Sequence, residues 1–174
     1  SLAANWVPIG NVVTAYSGTF DGQGFSVSGI TAAGGSYLGL FGDIHVSGTT
    51  AGTLQNINVV DANITGVSYL GGLVGNGYYS TIINSSASGN ISGTSYNLGG
   101  LAGYGHGANI SNSSASGNVN GLNGLGGLVG MGLDSTISNS FATGSVNGTY
   151  TLGGLVGDGD TAVISNSFAT GSVN

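Results

Sequence analysis

Along most of the chain, large aliphatic side chains come singly or in pairs between glycines and small polar residues, at a fixed interval. One column reads Leu54, Ile82, Ile110, Ile137 and Ile164, and a second reads Ile64, Ile91, Val119, Val146 and Val173. Two more hold Leu38, Leu70, Leu98, Leu125 and Leu152, and Leu40, Leu73, Leu101, Leu128 and Leu155. A polar column (Asn56, Asn84, Asn112, Asn139, Asn166) and a small one (Ala87, Ala115, Ala142, Ala169) keep the same step. The step is marked by "GGLVG" at 71–75, 126–130 and 153–157, "GGLAG" at 99–103 and a looser "GLFG" at 39–42. Aligned positions Gly39, Gly72, Gly100, Gly127 and Gly154 are separated by 33, 28, 27 and 27 residues. Repetition at such a period decides the architecture before any local propensity does.

The unit has no run of apolar residues at i, i+3, i+4 and i+7, and each interrupting glycine would cost a helix about 1 kcal/mol. Stretches such as "TISNSFATGSV" instead carry β-branched residues in partial alternation. Each unit thus predicts about three short strands separated by glycine or asparagine turns. One coil buries roughly five large apolar side chains, worth about 1.5–3 kcal/mol each. Ordering its backbone costs roughly 1–2 kcal/mol per residue, so a coil cannot stand alone. Stacked at about 4.8 Å, coils pair every strand above and below and bury each aliphatic residue against its own copy.

The fold class predicted is all-β: a right-handed parallel β-solenoid (β-helix) with coils of about 27 residues. Residues 1–38 are read as irregular lead-in coils, with Trp6 packing over the end. The repeats occupy 39–174, as units 39–71, 72–99, 100–126, 127–153 and a partial 154–174, in one continuous domain. The unit 39–71 is extended by about five residues around Ile44 to Ala51. The final coil stops at Asn174 with no capping element, so either the chain continues in the natural protein or another copy stacks there. Because "LGGLVG" does not alternate cleanly, the pattern does not say which of Leu73 and Val74 faces inward.

Composition narrows what such a rod can do. Among 174 residues there are 37 Gly, one Pro, no Cys, no Lys or Arg and no Glu. Asp21, Asp43, Asp61, Asp134, Asp158 and Asp160 set a formal net charge of −6. Without a cation the surface cannot neutralise phosphates, which disfavours nucleic acid and anionic membrane as partners. No apolar run reaches the roughly 20 residues that span a bilayer, so no membrane insertion is expected. The missing cysteines exclude disulfides and thiolate sites. The glycine motif is not a phosphate loop, since a Walker loop needs lysine and a Rossmann loop needs a following helix. Tight corners, positive φ or close approach of neighbouring coils would each account for its glycines.

Candidate chemistry is sparse. No Glu means no HExxH, and the aspartates fall at non-equivalent positions, so no catalytic residue, no cofactor and no enzyme is expected. "DGD" at 158–160 resembles a piece of a calcium turn, leaving Asp158 and Asp160 as weak candidates. The equivalent positions, Asn76-Gly77-Tyr78, Tyr104-Gly105-His106 and Met131-Gly132-Leu133, do not repeat it. His45 and His106 also occupy dissimilar positions and read as exposed turn residues. The column Asn56, Asn84, Asn112, Asn139 and Asn166 reads as a structural ladder, with amides bonded coil to coil and left-handed φ tolerated. With Ile137, Ser140, Ala142 and Val146 inward, Phe141 and Phe168 stack on the surface beside Thr143 and Thr170. That arrangement is either cross-strand stabilisation or a platform for glycans.

At these residues the chain resembles the GLUG-repeat family, named for a Gly-Leu-hydrophobic-Gly signature. The signature is carried by Gly72-Leu73-Val74-Gly75, Gly100-Leu101-Ala102-Gly103, Gly127-Leu128-Val129-Gly130 and Gly154-Leu155-Val156-Gly157. The lead-in "WVPIG…YSGTFDGQGFSVSGI…LGLFG" and the downstream "ISNSFATGSVNG" resemble that family's usual surroundings. The resemblance implies β-solenoid stalks in large secreted or surface-anchored bacterial proteins, filamentous-haemagglutinin-like adhesins among them, and implies no activity. The expected role is a non-enzymatic structural segment of an extracellular or cell-surface filament or adhesin, self-associating or in tandem with more repeats. The alternative is an adhesin module binding host or environmental glycans through its outward Phe, Thr and Ser face.

Overall fold

The computed structural model describes residues 5–45 and 52–174, and every regular element among them is a β-strand. All the strand pairings are parallel, each joining a strand to its counterpart one coil away. Four sheets run along the stack. The first holds six strands, Thr19–Asp21, Thr53–Gln55, Thr81–Ile83, Asn109–Ser111, Thr136–Ser138 and Val163–Ser165. The second, broad and bent, includes Asn58–Gly66 and Ser86–Gly93, and then splits into pairs of shorter strands such as Phe141–Ala142 and Val146–Asn147. The third holds Leu70–Gly71, Tyr96–Gly99, Asn123–Gly126 and Tyr150–Gly153. The fourth holds Phe41–Asp43, Val74–Asn76, Ala102–Tyr104, Val129–Met131 and Val156–Asp158. The chain is a β-solenoid, and each coil supplies four or five short strands where about three were expected.

The aliphatic columns stack in register: Leu54 on Ile82, Ile82 on Ile110, and so on to Ile164, with Ile64, Ile91, Val119 and Val146 likewise. Leu73 and Val74 are both fully buried, so the question of which faces inward has the answer both. The glycine motif explains how. Its glycines carry no positive φ, and what they share is the absence of room for a Cβ. A Cβ on Gly103 would lie 2.6 Å from Leu70 N, 2.7 Å from Gly75 O and 2.8 Å from Asn97 O. A Cβ on Gly100 would meet Ala115 Cβ at 2.7 Å and also strike Gly127 O. The third and fourth sheets therefore approach backbone to backbone, and the second motif glycine packs across the coil on the alanine column, at Ala87, Ala115, Ala142 and Ala169. Close approach, and not a left-handed turn, is what the motif encodes.

The corner between the first and second sheets is built differently. Asn56, Asn84, Asn112, Asn139 and Asn166 all sit in the left-handed region, at φ 55°, 49°, 51°, 49° and 47°. Asparagine tolerates that region better than other side chains. Each is followed by a residue turned inward: Ile57, then Ser85, Ser113, Ser140 and Ser167. Each serine Oγ donates to the carbonyl two residues back, at 2.7–2.8 Å, and accepts the backbone N–H of its counterpart one coil earlier, at 3.1–3.3 Å. A continuous hydroxyl ladder thus satisfies the donors of a buried corner, where the ordinary strand bonds lapse.

The two ends differ. At the start, Trp6 N donates to Thr31 O at 2.7 Å and its indole nitrogen donates to Leu40 O at 3.2 Å. Trp6 and Ile9 are partly buried against the core, and Phe41 is held between Tyr16 and Phe20, with ring centroids 5.4 and 5.3 Å away. At the other end Ile164 continues the column of Ile137 yet is half exposed, as are Val163 and Val173. Of the expected extension around Ile44 to Ala51, Ile44 is buried and residues 46–51 lie outside the described residues.

Candidate functional site

The predicted positions are spread over several faces. In the asparagine column, Asp21 Oδ1 accepts Asn56 Nδ2 at 3.0 Å, and Asn56 Oδ1 accepts Asn84 Nδ2 at 3.3 Å. Asp21 also accepts from Gln23 N–H and Gln55; these hydrogen bonds, led by Asn56, hold its carboxyl below the ordinary range. Further along, the column is carried by backbone bonds, Asn112 N–H to Ser138 O and Asn139 N–H to Ser165 O.

Phe141 and Phe168 stack with centroids 5.3 Å apart and planes at 7°, 38% and 55% exposed. Thr143 and Thr170 are exposed beside them. Ile137, Ser140, Ala142 and Val146 are buried beneath. This face carries a two-ring ladder. Asp158 Oδ1 accepts Asp160 N–H at 3.4 Å, and among the described residues no three His, Asp or Glu gather as a metal cluster. Neither histidine is a freely exposed turn residue. His45 Nδ1 lies 2.8 Å from the buried Asp43, while His106 stacks on Tyr78 at 4.9 Å with its Nδ1 buried and unpartnered.

A different face concentrates the chemistry. Tyr37 and Tyr69 stack at 4.7 Å with planes at 3°, and Tyr69 meets Tyr96 and Tyr104 edge-on at 5.5 and 5.8 Å. Tyr104 continues through parallel rings to Tyr78 at 6.4 Å and His106 at 6.2 Å, and Tyr79 packs edge-on against Tyr78. The columns explain how a groove opens here. Register along the third sheet sets Tyr37, Tyr69, Asn97, Gly124 and Thr151 one above another, all with positive φ. The fourth sheet sets Asp43, Asn76, Tyr104, Met131 and Asp158 in the same way. Where the first column shrinks from tyrosine to asparagine and then glycine, a cavity of about 350 Å³ opens between the two, lined by Tyr69, Tyr96, Asn97, Tyr104, Met131 and Asp158 among others. That volume lies at the small end of ligand sites, roughly 300–1,000 Å³.

Asn97 is only 2% exposed, and its Oδ1 has no hydrogen-bond partner. Gly124 stands over it: a Cβ there would come within 2.9 Å of that oxygen. Burial, reinforced by Tyr96, pushes the Tyr69 phenol up to about 12, and burial likewise raises Tyr104. The phenols therefore stay neutral O–H donors well past physiological pH. The sequence reading missed this site, because its residues differ from coil to coil; the one available signal was the concentration of tyrosines between residues 69 and 104.

Comparison with known proteins adds the following. Residues 66–92 and 94–120 each match the family model "The GLUG motif", so the chain carries GLUG repeats. Each match runs from the end of one bent-sheet strand to the same region of the next coil, which is one complete turn. Halomucin of Haloquadratum walsbyi is 33% identical over 93 residues, covering 51% of this chain and 1% of that protein. The matched half of the chain thus spans about one hundredth of the length of that curated relative. No solved structure matches.

Proposed function

We propose, from a chain built of GLUG repeats, that it is a non-enzymatic structural segment of a secreted or cell-surface filament or adhesin. The observation that carries this reading is the stacking itself: the columns from Leu54 to Ile164 and from Ile64 to Val146 lie in register, so that each coil pairs with its neighbours through the same strands. A stack of near-identical coils suits a stalk, in tandem with further repeats or against another copy of the chain. Resemblance to a stretch that makes up 1% of Halomucin supports a place in a long surface or secreted protein. The absence of lysine and arginine suits that setting, since trypsin has no cleavage site in the chain.

Electron microscopy and sedimentation of the purified chain test the self-association. Rods longer than one stack are expected, and Ile164→Asp, which puts a charge on the half-exposed strand Val163–Ser165, should return them to single stacks. Dispersed monomers at high concentration would contradict it.

A further inference from the structure

We infer that the tyrosine groove between the third and fourth sheets is a binding site for a neutral saccharide. The site lies away from the Phe141–Phe168 ladder, and the inference does not depend on the filament reading. Three observations converge on it.

The first is shape and lining. Tyr69 and Tyr104 are partly buried and held edge to face at 5.8 Å, with Tyr96 half exposed at the rim, so ring faces and edges border a concave space. The apolar C–H face of a pyranose packs on such rings, and rigid aromatic walls lose little entropy in holding it. Opposite them stand Thr151 and Asp158, a hydroxyl and a carboxylate that bond vicinal sugar hydroxyls as donor and acceptor. Such planar and hydroxyl groups, fixed on strands at a one-coil spacing, suit a ligand whose hydroxyls repeat at a similar spacing.

The second is the unpartnered buried Asn97. Buried side-chain oxygens ordinarily find a donor, and an orphan costs about 1–3 kcal/mol. Its neighbours in the column do not supply one: Tyr69 on one side presents a ring, and Gly124 on the other presents no side chain. Gly124 keeps clear the space that any Cβ would take at 2.9 Å. A hydroxyl entering beside Gly124, with a small turn of the amide, satisfies that oxygen.

The third is charge. The groove contains one carboxylate, and the chain has no lysine or arginine, with a formal net charge of −6. Uronates, sialic acids, sulfated sugars and phosphates would be repelled and would find no cationic partner. The raised phenol pKa values leave Tyr69 and Tyr104 uncharged donors, which a neutral hydroxylated ligand can use.

Calorimetric titration of the full chain with linear neutral tetrasaccharides built of glucose, mannose or galactose, beside oligogalacturonate, tests the inference. At least one neutral saccharide should bind, and the uronate should not. Tyr104→Ala and Asp158→Ala should each weaken binding about tenfold or more, which is about 1.4 kcal/mol. Phe141→Ala/Phe168→Ala should leave it unchanged. If Tyr104→Ala loses the β-sheet circular dichroism signal, Asp158→Ala on the outer rung still decides. No binding by any neutral member, binding that survives Asp158→Ala, or equal binding of the uronate would overturn the inference.

Discussion

The backbone N–H of Ser85 donates to the side-chain hydroxyl of Ser113, one coil further on, at 3.3 Å, while that same hydroxyl donates to the carbonyl of Ser111 at 2.8 Å. One atom thus joins two coils and closes its own corner, inside a core where water cannot substitute. Ser113→Ala strands the Ser85 N–H, while Ser111 O keeps the Asn84 N–H at 3.1 Å, and should cost about 1–3 kcal/mol. Chemical unfolding of the variant measures this, and a change within about 0.5 kcal/mol, as for an ordinary surface site, would remove the ladder from the account.

The two glycines at 100 and 105 separate close approach from mere turn preference. A Cβ on Gly100 meets Ala115 Cβ at 2.7 Å, whereas one on Gly105 meets Val129 at 3.4 Å and Ala108 at 3.5 Å, ordinary contacts. Gly100→Ala should therefore destabilise by about 1–3 kcal/mol through overpacking. Gly105→Ala should fall within about 0.5 kcal/mol of the parent protein. Thermal unfolding of the pair gives the comparison directly.

The asparagine column separates backbone from side chain. Asn112 has φ 51°, and Asn84, at φ 49°, also donates to Asn56 Oδ1. Asn112→Ala should cost about 1–2 kcal/mol, the strain of an ordinary residue in the left-handed region. Asn112→Gly should be close to neutral, and Asn84→Gly should cost more than Asn112→Gly because an amide bond goes with it. Equal costs for the two glycine variants would mean that the Asn84–Asn56 bond contributes nothing.

Alkaline titration should reveal Tyr69. Its folded-state pKa is raised from 10.0 to about 12, first by burial and then by Tyr96. The unfolded chain therefore releases this proton first, and stability present below pH 10 is lost as the pH rises towards 12. Tyr69→Phe should flatten that decline. Denaturant midpoints across this range measure it, and parallel curves for the two proteins would count against the assignment.

These sites differ in how far the sequence exposes them. Ile82, Ile110 and Ile137 announce the stack because burial demands the same residue type at the same point of every coil. The glycines of "GGLVG" announce that they matter without saying why; only the nearness of Gly103 to Gly75 and Asn97 decides between turn and contact. Ser85, Ser113, Ser140 and Ser167 recur just as regularly, each after an asparagine, but serine is common enough at turns for the pattern to pass as surface. The groove is the hardest case. Tyr69, Asn97, Gly124 and Thr151 form one column in space and no column in type, and a cavity arises from their differences in size.

The central claim is that successive units lie one above another at strand spacing. The chain has no cysteine, so pairs of introduced cysteines can carry spin labels without background. Thr65, Asn120, Asn147 and Asn174 follow one another along one outward column, through pairings of Thr65 with Ser92, Ser92 with Asn120, Asn120 with Asn147, and an Asn174–Asn147 amide bond. Distances from position 65 to 120, 147 and 174 should grow by about 5 Å per coil, to roughly 10, 14 and 19 Å between backbones. Distances that do not rise in that order, or that rise several-fold more steeply, would contradict the stacked solenoid.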